Sequence, residues 1–364
     1  MDVVESFYEL VDKGRKGMNT SLSIGLPRME TYIEGLSQGS HVLIGANSGA
    51  GKTTLLLYSY IYKPIMENNK EKDVRYIYMN LEMSQEQILA KLLSIYVYET
   101  YGVTLTFKEI FSRGKNTLLS DENYELIVKC RPILEMFKER IIFHDGALNA
   151  DKFDSLVIED LKQFGTFEGD NYYPNNPNQI VCIVIDHISL VRASKGRSKK
   201  EEMDIISNHC VSFRNKCKII TPIILMQMNR NQFGNERLKN ENLREPDVSD
   251  LKDSGTMLED TQIALLMFNP VQAKLATHRG YDIKTLGDNY RSLKCVKNRF
   301  GQSEVAVGLA FYGGVGIFKE LPPSSQIADY DQYKDPSWNL FAENKEDLNS
   351  KSNTDEHVNL TIVL

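Results

Sequence analysis

Residues 41–54 read His-Val-Leu-Ile-Gly-Ala-Asn-Ser-Gly-Ala-Gly-Lys-Thr-Thr, and Leu55-Leu-Leu57 follows. An apolar run on each side of a small-residue stretch predicts a strand that turns sharply into a helix. Small residues at such a turn let backbone N–H groups converge on phosphate oxygens, while a lysine reaches the terminal phosphates and a hydroxyl holds magnesium. Ser48, Gly49, Ala50, Gly51, Lys52, Thr53 and Thr54 form this cradle, with Lys52 for the β- and γ-phosphates and Thr53 for the metal. The strict motif opens with glycine where Ala46 stands here. The strand before and the helix after supply the context that a chance match on a surface loop lacks.

Working outward, a phosphate cradle becomes chemically competent only if polar groups stand at the ends of neighbouring strands. The unbroken run Ile180-Val-Cys-Ile-Val-Ile185 suits a central parallel strand and delivers Asp186 at its C-terminal end. Beside a phosphate loop this carboxylate is placed to hold magnesium; alone it is equally a helix cap. The run 74–80 leads to Glu82, with a helix expected from about Gln85. Glu82 can accept a proton from attacking water, or its charge can simply favour the helix N-terminus. Ile223-Ile-Leu-Met226 ends in Gln227, whose amide can hydrogen-bond a γ-phosphate or be a satisfied strand end.

Across residues 23–322, β-rich runs alternate with helical ones, the pattern of a parallel sheet covered by helices. Strands are expected at 41–45, 74–80, 140–144, 180–186, 222–227 and 263–268. The later runs 293–298, 305–311 and 316–318 lack intervening helices and read as an antiparallel extension. The fold expected is therefore α/β, with a mainly parallel central sheet. Residues 167–179, with Gly169, Asp170 and several asparagines and prolines, read as a surface loop. The polar stretches 192–203 and 229–248 follow two central strands, on the side of such sheets where ligands collect. Residues 1–20 form an N-terminal unit with Val4, Phe7, Tyr8 and Val11 at helical spacing, 21–322 the main domain, and 323–364 an acidic tail expected to be largely disordered.

Composition narrows the function classes. With 364 residues and 41% hydrophobic content the chain can hold one enlarged domain or two. No apolar stretch reaches the ~18 residues of a membrane span, and the N-terminus is acidic and amphipathic, so a cytoplasmic protein without membrane partners is expected. Five cysteines show no C-x-x-C spacing, which reads as reduced structural thiols and no zinc. The net charge of −6 argues against a protein that coats nucleic acid. Its distribution is uneven: residues 326–364 carry eight acidic and three basic groups, leaving the body near neutrality. Within that body Arg192, Lys195, Arg197, Lys199 and Lys200 place five positive charges in nine residues, a solvated loop or an anion-binding rim. Lys297 and Arg299, two apart on an expected strand, share a face that fits a cationic clamp or ordinary solvation.

Six motifs taken in order resemble the motor domain of DnaB-like replicative helicases: Ala-x-x-x-x-Gly-Lys-Thr (46–53), Asn-Leu-Glu-Met (80–83), Val-Ile-Asp-His-Ile-Ser-Leu-Val (184–191), Gln-Met-Asn-Arg (227–230), Asp-Leu-Lys-Asp-Ser-Gly (250–255) and Lys-Asn-Arg-Phe-Gly (297–301). Asp-His-Ile-Ser and Leu-Lys-Cys (293–295) are similar to the helicase half of phage primase-helicases and mitochondrial Twinkle. The resemblance covers roughly residues 21–320 and implies a RecA-like P-loop NTPase core. It further implies that Lys52 and Thr53 hold phosphates and magnesium, Glu82 is the catalytic base, Asp186 binds the metal shell and Gln227 senses the γ-phosphate. By the same resemblance Arg299, with Lys297 beside it, is the finger that enters a neighbouring subunit's site.

The resemblance also implies that the loops after Asp186 and Gln227 line a pore for single-stranded DNA. Lys252, Asp253 and Gly255 would then lie near DNA phosphates, together with the basic run 192–200. Lys252 stands where the family has arginine, so charge is kept without the bidentate fork. In place of the family's usual primase- or loader-binding N-terminal domain, a helix at residues 3–13 is expected ahead of the motor. It is similar to the linker helix that packs on the adjacent subunit, or is a frayed terminus. The function implied is an ATP-driven (or other NTP-driven), magnesium-dependent DNA helicase, a homo-hexamer by expectation, with a primase or loader as further partner, in a bacterial or phage-infected cell. The alternatives are a RecA-like recombination mediator or filament ATPase, and a regulatory P-loop ATPase acting on protein partners.

Overall fold

The apolar runs of the sequence become one nine-stranded sheet in a computed structural model that describes residues 2–17, 21–67, 73–169, 171–228, 244–251 and 255–335. In chain order the first strands are β1 (Val42–Ala46), β2 (Val74–Asn80), β3 (Ile141–Asp145), β4 (Gly165–Glu168), β5 (Asn171–Pro174), β6 (Ile180–Asp186) and β7 (Ile220–Gln227). There follow β8 (Ile263–Phe268), β9 (Thr277–His278), β10 (Tyr281–Asp282), β11 (Tyr290–Asn298), β12 (Val305–Tyr312) and β13 (Ile317–Glu320). The main sheet runs β13-β12-β11-β8-β1-β7-β6-β2-β3. The ladder from β8 through β1, β7, β6 and β2 to β3 is parallel. The pairings β8–β11, β11–β12 and β12–β13 are antiparallel, the extension expected from the missing helices.

Burial explains why these runs had to be strands. β1, β6 and β8 are buried throughout, as strands covered on both faces must be. Alternation then sorts side chains to two cores: Tyr76, Tyr78, Cys182 and Val184 join one, while Ile77, Met79, Ile183 and Ile185 join the other. The first core packs under the helical segment that begins at Lys52, and the second under the helices Ala150–Leu161 and Lys199–Cys217. In the former segment, Leu56–Tyr62 is a π-helix, and the Tyr76 hydroxyl donates to the Tyr60 carbonyl at 2.7 Å.

Two expectations change. The surface loop expected at 167–179 contains most of a hairpin, because β4 and β5 pair antiparallel around Gly169, which has φ +57°. Phe167 and Tyr172 pack at 4.9 Å across it, and the Tyr172 hydroxyl donates to the Leu161 carbonyl, so aromatic anchoring outweighs the turn-rich composition. Beyond residue 322, the chain continues the packed body: Ile327 and Tyr333 are buried with Tyr281, Leu286 and Tyr290. Residues 336–364 of the acidic tail lie outside the described residues. The N-terminal helix spans Val3–Arg15 and leaves Val4, Phe7, Tyr8 and Val11 each more than half exposed.

Candidate active site

Parallel register brings the ends of four strands level. Asn80 pairs with Asp186, and Ala46 with Gln227, so Glu82, Asp186, the loop after Ala46 and Gln227 share one edge of the sheet. The loop itself relies on two glycines in left-handed conformation, Gly49 at φ +76° and Gly51 at φ +106°. Gly51 begins the helix Lys52–Leu55, and a Cβ there would lie 3.4 Å from Phe318 and 3.6 Å from Phe311. Lys52 is buried at the helix start. Gln227 is half-buried, and the next residue, Met228, donates its N–H to the Ala46 carbonyl at 3.0 Å.

Asp186 is the centre of the polar cluster. Thr53 donates its hydroxyl to Asp186 Oδ1 at 3.1 Å and Tyr78 donates to Oδ2 at 2.9 Å. Both carboxylate oxygens are thus oriented toward side chains, not toward a helix N-terminus, which removes the capping alternative. Burial raises the Asp186 carboxyl to about 6, against the lowering pull of the Tyr78 hydrogen bond and the Lys52 ammonium. Thr53 and Asp186 present the hard oxygen donors that magnesium takes, and magnesium characteristically uses one or two protein carboxylates plus phosphate and water. The residues present therefore fit that ion.

Glu82 stands two residues past β2, its side chain half exposed. The helix Gln85–Tyr101 has its own N-cap, Ser84, with Gln87 accepting from the Ser84 N–H at 3.0 Å and Glu86 in the first turn. Glu82 is consequently not needed for the helix. Its nearest ionisable neighbour is His187, whose Nε2 lies 3.9 Å from Glu82 Oε2. Burial, and next the Lys52 charge, hold that imidazole down at about 4, so it is neutral at pH 7. Lys91, on the same helix, feels the attraction of both Asp186 and Glu82, although burial pulls its ammonium below the usual range. Tyr78 and Lys91 were missed in the sequence because strand-interior tyrosines and helix lysines carry no local signal, whereas His187 was signalled by its place beside Asp186 in the motif 184–191 and was given no role.

Lys297 and Arg299 do not join this cluster. Asn298 pairs with Ile263, and Ile263 with Val42, which places them at the opposite end of β1 from the phosphate loop. There Lys297 Nζ donates to the Leu258 and Glu259 carbonyls and Arg299 donates to the Glu259 carbonyl, closing the helix Gly255–Asp260. Of the basic run, Arg197 is ion-paired to Asp151 at 3.1 Å and lies 3.8 Å from Glu202. Arg192, Lys195, Lys199 and Lys200 are exposed, the last two opening the helix Lys199–Cys217 behind a Ser198 cap. Gly255 begins the helix Gly255–Asp260, while Lys252 and Asp253 lie outside the described residues.

Compared with known proteins, residues 21–320 match the family described as DnaB-like helicase C terminal domain. The chain belongs to that family. It is 26% identical over 272 residues to the replicative DNA helicase DnaB of Helicobacter pylori, covering 73% of this chain and 48% of that protein. It is 25% identical over 275 residues to the DnaB of Mycoplasma pneumoniae, covering 73% and 50%. The chain thus spans about half the length of the curated relatives it matches. Among solved structures, one described as an ATPase domain superposes with a TM-score of 0.63 at 16% identity, over 88% of this chain and 99% of that one. A DnaB-like replicative helicase studied with its primase interactions gives 0.64 at 18%, over 88% and 68%. The fold of this DnaB-like domain is accordingly the RecA-like core expected from its motifs.

Proposed function

We propose that this chain is the ATP-driven motor of a ring-forming replicative DNA helicase that translocates on single-stranded DNA. The observation that carries the reading is the division of the site. Ser48 to Thr54, Glu82, Asp186 and Gln227 converge at one edge of the sheet, whereas Lys297 and Arg299 lie a strand's length away, roughly 13 Å along β1 alone. A phosphoryl-transfer site is helped by a cation on the leaving charge, and in this arrangement the cation of one copy serves the nucleotide of the next. Lys52 binds the phosphates, Thr53 and Asp186 would hold magnesium, Glu82 takes the proton of the attacking water, and Gln227 reports on the γ-phosphate. Magnesium, when bound, neutralises phosphate charge.

The exposed cations Arg192, Lys195, Lys199 and Lys200 follow the strand that ends in Asp186, so they supply a DNA-facing rim repeated around a ring, shared in this reading with Lys252, Asp253 and Gly255. Arg197 contributes less, its charge being matched by Asp151. A hexamer, a cytoplasmic setting and a primase or loader partner belong to the same reading; among the described residues no helix is long and apolar enough to cross a membrane. The test is a forked duplex with a single-stranded tail, incubated with magnesium and ATP. The chain separates the strands, while Glu82→Gln binds nucleotide normally and loses turnover by about 10²–10⁴-fold. DNA-stimulated hydrolysis without strand separation would instead favour a filament ATPase, and hydrolysis indifferent to DNA a protein-directed switch.

A further inference from the structure

A group outside every motif above holds the phosphate loop from behind. Arg291, on β11, is 1% exposed, the largest fully buried side chain among the described residues. Its Nε donates to the Ala50 carbonyl at 2.8 Å. One terminal nitrogen donates to the carbonyls of Asp288 at 2.6 Å and Tyr290 at 2.8 Å, with the Asp288 carboxylate 3.4 Å away. The guanidinium carbon lies 4.7 Å from the centre of the Phe311 ring, which itself stacks on Phe318 at 4.7 Å. These are the two rings against which Gly51 packs.

A buried guanidinium keeps its charge and is an expensive way to fill a core, since an apolar side chain of the same volume is often as stable. What an apolar side chain cannot supply is a donor for Ala50. The Ala50 carbonyl and the Gly51 N–H belong to one trans peptide plane and point in opposite directions. Drawing the carbonyl inward therefore turns the Gly51 N–H outward, into the cradle.

We propose that Arg291 is a positioning residue of the phosphate site, aiming the Gly51 N–H at the bound phosphates through its grip on Ala50 and its seat on Phe311. This rests on the reading of residues 46–54 as a nucleotide site. The test uses the full chain with a fluorescent ATP analogue and with inorganic tripolyphosphate, which engages the cradle alone. Arg291→Lys keeps the charge but not the fork, and weakens both ligands by about tenfold. Hydrogen exchange by mass spectrometry then shows ligand-induced protection of residues 46–54 reduced in the variant, with the helix Gln85–Tyr101 unchanged, which a general loss of packing would not produce.

Phe311→Leu, at a half-buried ring, gives the same pattern at about threefold and serves if Arg291→Lys fails to fold. If both variants, or Phe311→Leu alone where the other does not fold, bind like the native chain while Lys52→Ala loses binding, Arg291 is packing and the proposal falls with the nucleotide reading intact. If Lys52→Ala also binds normally, the nucleotide reading falls and takes the proposal with it.

Discussion

His41 sits at the entrance of β1 with both ring nitrogens buried and unpaired, flanked by the charges of Arg214, Lys297 and Arg299. Burial first, and those three cations next, hold its imidazole down at about 3, against ~6.5 in an unfolded chain. Because the folded value is the lower one, the stability it carries is complete above pH ~6.5 and drains away as the pH falls toward 3. Between pH 7 and 5 this amounts to about 2 kcal/mol. Urea midpoints measured at both values should fall less steeply for His41→Leu; equal losses in the two proteins would remove His41 from the acid response. The residue scale also marks what the sequence concealed. Lys52, Thr53 and Asp186 were legible because their spacing is local or ends an apolar run. Tyr78 and Arg291 were not, since each acts on a partner more than a hundred residues away.

At the scale of elements, the strands were legible wherever a run was apolar on both faces, as in β2, β6 and β8, whose bounds coincide with the expected ones. The π-helix Leu56–Tyr62 and the hairpin β4–β5 were not, since the one is stabilised through Tyr76 and the other through Tyr172, each from outside. The N-terminal helix poses the opposite case: its periodicity was plain, yet its apolar side chains Phe7 and Tyr8 are 59% and 66% exposed. A helix of this length is marginal in isolation; in the proposed reading it is a linker that docks on a second copy, and otherwise it is a frayed terminus. Phe7→Asp is then expected to leave the thermal midpoint of the body within a degree or two, as surface substitutions do, and to lower the mass of the nucleotide-bound assembly in light scattering. An assembly of unchanged mass would make the helix a free terminus.

At the scale of the whole molecule, the sheet separates the phosphate loop from Lys297 and Arg299 by the length of β1. A shared site follows only if copies associate, so complementation is the decisive measurement. Arg299→Ala and Lys52→Ala should each lower hydrolysis by about 10³-fold or more. An equal mixture rebuilds roughly a quarter of the interfaces in a ring, so turnover rises well above either parent; a mixture no faster than its components would confine Arg299 to closing the helix Gly255–Asp260. By itself the sequence located most strands of the main sheet, the glycine- and lysine-bearing turn after β1 and the strand-end positions of Glu82, Asp186 and Gln227, because apolar runs, glycine spacing and strand ends are local properties of a chain. Only the tertiary structure decided which oxygens face Thr53 and Tyr78, that Arg291 stands behind Ala50, and that Lys297 and Arg299 lie out of reach of their own loop. Those are consequences of strand order and register, which bring distant residues together or hold them apart with no trace in the neighbouring sequence.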